Sequence, residues 1–421
     1  MELFTYASDP SGLSEEAIRD QLMRSIAGKD LKRVLLIPPD FTRFHSNAGL
    51  ITSLYYDLLK DHVAVDILPA LGTHEAMSEA EVKEMYGDIP FDKFIYHNWR
   101  EDVVEVGVVP GDYVKEITDG LWDRPVPLEV NWRVMDERYD LIISIGQVVP
   151  HEVIGMANHA KNVFVGCGGR KTINASHMIG AVYGMERMMG KDHTPVRKIL
   201  DYGMEHFLNH RPILFVLTVT TAPKGRICTH GLFISEARIA LEKAIALAQE
   251  KNIDFVEKGI KKCVVYLDPK EFKSTWLGNK AVYRTRMAIE DGGELIVLAP
   301  GVTKFGEDPK IDQLIRKYGY SGRMNVLELF KDNIDLQQNM SAAAHLIHGS
   351  SDGRFTISYA VKHMPKEDVA QVHYQALDYD ETISRYHPDR LVPGWNTLDD
   401  QEEIFYIPNP ALGLWIDKNR F

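Results

Sequence analysis

The residues in this chain best suited to chemistry are gathered into a few short stretches. Pro150-His151-Glu152 is followed ten residues after His151 by Lys161, then by Gly166-Cys167-Gly168-Gly169-Arg170-Lys171-Thr172, and sixteen residues after Lys161 by His177. An imidazole has an unperturbed pKa of about 6.5, so it can take and return a proton near neutrality. His74, behind Gly72-Thr73, is a second such group, and two imidazoles facing one carbon could serve its opposite sides. Lys161 lies between Met156-Ala157 and Val163-Phe164-Val165, which predicts a backbone held near the interior, where a lysine is usually paired or covalently used. Asp40-Phe41-Thr42-Arg43 adds an arginine able to grip a carboxylate or phosphate bidentately, and an aspartate able to orient it or an imidazole. In plainer readings Asp40 or Thr42 caps a helix beside a surface arginine, the histidines are structural and Lys161 is solvated. The placement of His74 and His151 just past apolar runs favours chemistry, because open α/β sheets keep their sites at the carboxyl ends of their strands.

Other motifs fail in instructive ways. The glycine-rich stretch has Arg170 where a P-loop needs glycine before Lys-Thr, although its backbone N–H groups could still face an anion. His74-Glu75 and His151-Glu152 lack the second histidine of a zincin helix, and no GxGxxG follows a strand. Met185, Met188 and Met189 read as core packing on a helix rather than soft metal ligands.

The elements that must position these residues alternate between strand-like and helix-like segments, the pattern of α/β domains with mainly parallel sheets. Val34–Ile37, Val65–Leu68, Phe94–His97 and Tyr139–Ile145 read as strands, Ala48–Lys60 as a helix, and Ser78 with Glu81 as a capping box opening another. Ile234–Lys251 reads as one long helix and a hinge element. Beyond it come strands at Cys263–Leu267, Leu295–Leu298 and Phe355–Tyr359, helices at Asn279–Glu290 and Leu336–His348, and a loop from Asp378 to Gln401. The expectation is an N-terminal α/β catalytic and cofactor-binding domain over 1–255 and a C-terminal α/β domain over 256–421, with the active site in the cleft between them.

Composition bounds the partners. A net charge of −12, with lysines and arginines scattered rather than clustered, argues against nucleic acid. Cys167, Cys228 and Cys263 are three, widely spaced and without a CxxC pair, which disfavours disulfides or a thiolate zinc site. With no leader-like N-terminus and no run approaching the roughly 18 apolar residues of a span, the expectation is a cytoplasmic protein with no membrane partner.

Taken together, Asp40-Phe41-Thr42-Arg43, Gly72-Thr73-His74, Pro150-His151 and the Lys161 to His177 stretch resemble lactate racemase and its homologues, the nickel-pincer nucleotide enzymes. The resemblance implies that Lys161 holds a nickel-pincer nucleotide covalently, that His177 is the protein ligand of the nickel, and that Asp40, Thr42 and Arg43 support the cofactor. It implies that His74 and His151 are alternating acid/base groups in a racemase or epimerase that inverts C2 of a 2-hydroxy acid by hydride transfer to and from the cofactor, and that cofactor-synthesis proteins are partners. Aligned with lactate racemase, Tyr283 and Arg286 fall where that enzyme has a glutamine and a substrate-binding lysine, and Gln338 falls near a tryptophan. These three polar groups favour a sugar acid, making the chain an aldonate 2-epimerase, with malate or lactate as alternatives. Two readings from other classes stand beside it: a metal-dependent hydrolase or lyase using His74, His97 and His151, and a non-enzymatic anion-binding protein using Arg43 and the glycine-rich turn.

Overall fold

The computed structural model describes residues 1–411 and 413–421 and, of Lys224, the backbone alone. The chain divides into two compact units, one of Met1–Ile179 with Arg187–Asn252 and the other of Gly180–Glu186 with Ile253–Phe421. Both are α/β, built on six-stranded, mainly parallel sheets.

In the first unit the strands are β1 (Glu2–Tyr6), β2 (Arg33–Ile37), β3 (Ala64–Ile67), β4 (Val103–Val109), β5 (Val126–Asn131), β6 (Leu141–Gln147), β7 (Pro150–His151), β8 (Gly155–Met156), β9 (Ile213–Thr221) and β10 (Cys228–Ser235). The main sheet runs β1-β10-β9-β6-β2-β3, parallel from β9 to β3 and closed by two antiparallel strands. Near-continuous apolar runs such as Leu141–Ile145 follow from this burial, because a parallel sheet is covered on both faces. Alternate residues enter opposite cores. Leu35, Ile37 and Ile142 pack with Ile173, Ile199, Leu200 and Leu241, whereas Val34, Leu36, Leu141 and Ile143 pack with Ile51, Leu54 and Tyr55. Two antiparallel pairs, β4 with β5 and β7 with β8, stand outside the main sheet.

In the second unit β11 (Asp254–Val256), β12 (Ile260–Tyr266), β13 (Ile289–Ala299), β14 (Thr356–Val361), β15 (Gln375–Leu377), β16 (Gly394–Thr397), β17 (Glu403–Ile407) and β18 (Trp415–Asp417) appear in order. The sheet runs β15-β14-β13-β12-β17-β16, with only β16 antiparallel, and β11 pairs with β18.

Several expected elements differ. The helix expected from Ile234 begins at Ile239, because Gly231–Ser235 completes β10 between β9 and β1, and this pairing outweighs local helix preference. Phe94–His97 forms only an isolated bridge between Phe94 and Ile67. The Asn279–Glu290 segment is helical over Lys280–Thr285 and then turns into β13 at Ile289, opposite Ile260. Leu336–His348 is interrupted at Gln338-Asn339, where Asn339 caps a new helix, Met340–His348. Asp378–Gln401 is not a loop, since Asp378 caps a Tyr379–Arg385 helix and β16 pairs with β17. No helix among the described residues is long and apolar enough to cross a membrane.

Candidate active site

Parallel pairing of β2 with β3, extended by a bridge between Pro39 and Ala70, brings the turns after both strands side by side. Asp40 emerges from the first and His74 from the second, and His74 Nδ1 lies 2.5 Å from Asp40 Oδ2. The other carboxylate oxygen accepts from the Thr42 hydroxyl at 2.5 Å. Asp40 is buried, which alone would raise its pKa, but His74, Thr42 and the Arg43 charge outweigh burial and hold it below the ordinary value. An ionised Asp40 accepts from Nδ1–H and leaves the lone pair of His74 on Nε2, a base-ready tautomer assigned from the hydrogen bond. The His74 side chain is half exposed, so that lone pair is reachable. Of the two roles open to Asp40, the structure gives it the imidazole. Arg43, at a kink in the short 3-10 segment Phe41–Ser46, follows it with its N–H on the Asp40 carbonyl.

His151 follows β6 on the short hairpin of β7 and β8, where it pairs with Gly155. Its Nδ1 accepts from the Val153 N–H at 3.1 Å, so a neutral ring carries its proton on Nε2. The two histidines are therefore set in opposite senses, one presenting a lone pair and the other a proton. Lys161 opens a π-helical turn, Asn162–Gly166, the kind of local irregularity often found at functional sites. Burial first, then the Arg43 charge, brings its amine down to about 8 against the opposing pull of Glu152 and Asp40. His177 projects from the Arg170–Tyr183 helix, with Nδ1 donating to the Ile173 carbonyl one turn back at 2.7 Å. Burial lowers its pKa, partly offset by that carbonyl, so a neutral imidazole offers Nε2 as a ligand atom. Asp40, Arg43 and Glu152 all act on the Lys161 charge, and Lys161 and Glu152 act on His177, which marks these groups as one cluster.

In the glycine-rich turn between Lys161 and His177 several N–H groups are already committed within the protein. The N–H groups of Cys167 and Gly168 donate to the carbonyls of Asn162 and Val165, and the Lys171 N–H donates to the Glu129 carboxylate at 2.9 Å. Its glycines serve close packing: a Cβ on Gly168 would lie 1.7 Å from the Phe164 carbonyl oxygen, and one on Gly166 2.6 Å from Ala70. His97 locks the same turn. Fully buried, it contacts the Gly168 carbonyl through Nε2 at 3.0 Å and the Asn131 amide through Nδ1 at 3.0 Å, and burial lowers its pKa. With both nitrogens engaged it has no lone pair for a metal, which removes the metal triad of His74, His97 and His151. Among the described residues no group of three or more His, Cys, Asp or Glu could hold a metal ion. One histidine beside an activated amine instead suits a metal that arrives with its other ligands on an organic group attached at the lysine, and the chain's donors fit such a group.

Sequence reasoning missed Glu152 as a charge beside the lysine, Glu129 and Asn131 as braces of the turn, and Arg197. The signal for Arg197 was a charged residue between Val196 and Ile199 on the apolar face of the Pro195–Phe207 helix.

The three expected substrate contacts, Tyr283, Arg286 and Gln338, lie in the second unit. Tyr283 is buried, with its hydroxyl 2.8 Å from His345 Nδ1, and His345 Nε2 lies 2.9 Å from the Tyr320 hydroxyl. Burial, then the His348 charge, drives His345 down to about 3, so it stays neutral in this aromatic core. Arg286 is 2 % exposed and committed: Nε donates to Glu186 at 2.6 Å and Nη1 to the His348 and Ser350 carbonyls at 3.2 and 3.1 Å. These bonds tie it to the 180–186 segment and to the turn after the Met340–His348 helix. Gln338 is exposed where the Ile334–Gln337 helix ends, its N–H on the Ile334 carbonyl at 2.9 Å.

Comparison with known proteins bears on the fold. A structure of a Thermotoga maritima protein from a structural-genomics programme matches with a TM-score of 0.81 at 22 % identity, over 98 % of this chain and 100 % of that one. The lactate racemase apoprotein from Thermoanaerobacterium thermosaccharolyticum matches with a TM-score of 0.71 at 17 % identity, over 96 % of this chain and 93 % of that one. No curated protein matches by sequence. Residues 13–189, which include Asp40, His74, His151, Lys161 and His177, match the model of the lactate racemase N-terminal domain, so this part of the chain is similar to that domain.

Proposed function

We propose that this chain is a 2-hydroxy acid racemase or epimerase that works with a nickel-pincer nucleotide carried on Lys161. The observation that carries the reading is the opposite setting of the two histidines: Asp40 holds His74 with Nε2 as a base, and the Val153 N–H holds His151 with Nε2–H as an acid. Lys161, at about 8, has a substantial neutral fraction near neutrality, which covalent attachment requires. His177 Nε2 would ligate the nickel, and Thr42 and Arg43 would flank the attached group. When bound, that group would supply an electron-poor carbon able to take and return a hydride. His74 Nε2 takes the hydroxyl proton of one stereoisomer while His151 Nε2–H returns a proton to the other, and the two exchange roles in the reverse direction. General base help of this kind is worth roughly 10²- to 10⁴-fold each.

The substrate class is a 2-hydroxy acid. With the Tyr283 hydroxyl on His345 and Arg286 on Glu186, the aldonate preference rests on the polar character of Gln338, and malate remains the alternative. The test is co-expression with cofactor-synthesis proteins, followed by a stereochemical assay on gluconate-type acids, malate and lactate. Inversion at C2 of any of them, lost in His74→Ala and His151→Ala, supports the reading. A cofactor-loaded chain that inverts no 2-hydroxy acid overturns it.

A further inference from the structure

The hydrogen bonds around His345 form a chain whose direction is fixed from one end. Thr275, at the start of the short Thr275–Gly278 helix, has one hydroxyl proton, and that proton goes to the Phe305 carbonyl at 3.0 Å, since a carbonyl can only accept. The Tyr320 hydroxyl lies 2.8 Å from the same Thr275 oxygen, so Tyr320 is the donor in that contact. Burial holds the Tyr320 phenol above its ordinary value, and it keeps its proton. With that proton spent, the Tyr320 oxygen meets His345 Nε2, 2.9 Å away, only as an acceptor, which places the His345 proton on Nε2. A neutral imidazole carries a single ring proton, so Nδ1 is a lone pair. The Tyr283 hydroxyl, 2.8 Å from Nδ1, is therefore the donor at the far end. Reversing any one of these bonds would set two lone pairs against each other between buried groups, the costly case of a hydrogen bond left unmade. The Trp276 ring lies 4.3 Å from that of His345 and, with the bonds at both nitrogens, fixes the imidazole in place.

The consequence falls on Tyr283. Its one proton is spent on His345, so its oxygen can meet any further group only by accepting. An oxygen of that kind pairs with a hydroxyl, which brings a proton, and repels a carboxylate, whose oxygens are acceptors as well.

We propose that this relay from Phe305 to Tyr283 makes Tyr283 an acceptor for a substrate hydroxyl, so that the chain takes a polyhydroxylated 2-hydroxy acid in preference to a dicarboxylic one such as malate. The proposal rests on the reading of the chain as a 2-hydroxy acid racemase or epimerase and on Tyr283 as a substrate contact. Thr275, Tyr320 and His345 act through Tyr283 and are positioning residues. The relay is read first, in the full chain without cofactor, by nitrogen NMR of isotope-labelled histidines, with the His345 signals identified by their loss in His345→Gln. Near neutrality the native ring carries its proton on Nε2. Thr275→Val keeps the shape but removes the oxygen that takes the Tyr320 proton, so Tyr320 turns to His345 Nε2 and the ring proton moves to Nδ1. Thr275→Ser, which keeps the hydroxyl, leaves it on Nε2. A native His345 with its proton on Nδ1 overturns the proposal, and that result stands whether or not the valine variant folds. The preference is read next, as kcat/KM of the cofactor-loaded chain. Gluconate-type acids exceed malate, and Tyr283→Phe lowers their value about three- to tenfold, chiefly through KM, while malate does not lose. Thr275→Val narrows the preference, because the Tyr283 proton is released to face the substrate. A loaded chain that prefers malate, or a Tyr283→Phe loss equal for both acids, overturns the proposal. A loaded chain that inverts no 2-hydroxy acid instead removes the functional reading and the substrate class with it, and leaves the direction of the relay to the nitrogen signals alone.

Discussion

At the scale of the residue, the proposed reaction turns on which nitrogen of each imidazole is already committed. Asp40 satisfies both its oxygens locally, one on Thr42 and one on His74, so its charge is spent on a single histidine tautomer. Asp40→Asn preserves shape but removes the charge that fixes Nδ1–H. It is expected to lower turnover roughly 10²- to 10⁴-fold with cofactor still loaded, measured as the initial rate of C2 inversion in both directions. Near native rates in either direction would show that the carboxylate does not set the tautomer. The sign of the acid dependence follows from the same carboxyl. Its pKa is depressed in the fold, so its contribution to stability is complete above the unfolded value and is lost as pH falls through the folded one.

At the scale of the element, the span from Lys161 to His177 is braced from β5 and from the segment after Phe94. The Asn131 N–H donates to the Cys167 carbonyl at 2.6 Å, the Asn131 amide meets His97, and the Glu129 carboxylate takes the Lys171 N–H. His97→Leu leaves the Gly168 carbonyl and the Asn131 amide unpaired in the interior, at a cost of about 1–3 kcal/mol, read as a lowered urea midpoint. An unfolding free energy within about 0.5 kcal/mol of native would mean that the turn does not need this lock. Much of this architecture was legible in sequence. The apolar runs of β2 and β6, the Ser78–Glu81 capping box and the polar residues closing β2 and β3 all stand where pattern places them. What escaped was set by tertiary partners. Nothing local tells that His97 spends both nitrogens on a turn some seventy residues on, that Gly231–Ser235 joins a sheet instead of a helix, or that Arg286 faces Glu186. Glycines that read as an anion loop proved to answer to contacts with Phe164 and Ala70.

At the scale of the whole molecule, His97, His159, His177 and His345 are all kept neutral chiefly by burial, and each has a folded-state pKa below its ordinary value. Unfolding therefore takes up protons below about pH 6.5, and stability that is complete above that value declines as pH falls toward the folded-state values. The expected result is a melting temperature that is flat from pH 7 to 8 and drops progressively from pH 6 to 4; a flat profile over that lower range would contradict it. The second unit depends on Arg286. Arg286→Met should lower its stability by about 2–3 kcal/mol in urea unfolding, since two carbonyls and Glu186 lose their donor. The account as a whole stands on Lys161 as the attachment point of a nickel-bearing organic group with His177 as its protein ligand. The most direct measurement is peptide mass mapping combined with nickel analysis, on the full chain purified from a host that makes the cofactor. The account predicts a mass adduct confined to the peptide containing Lys161 and one nickel per chain, the nickel lost in His177→Ala and the adduct lost in Lys161→Ala. An active, nickel-containing chain with unmodified Lys161 would contradict it.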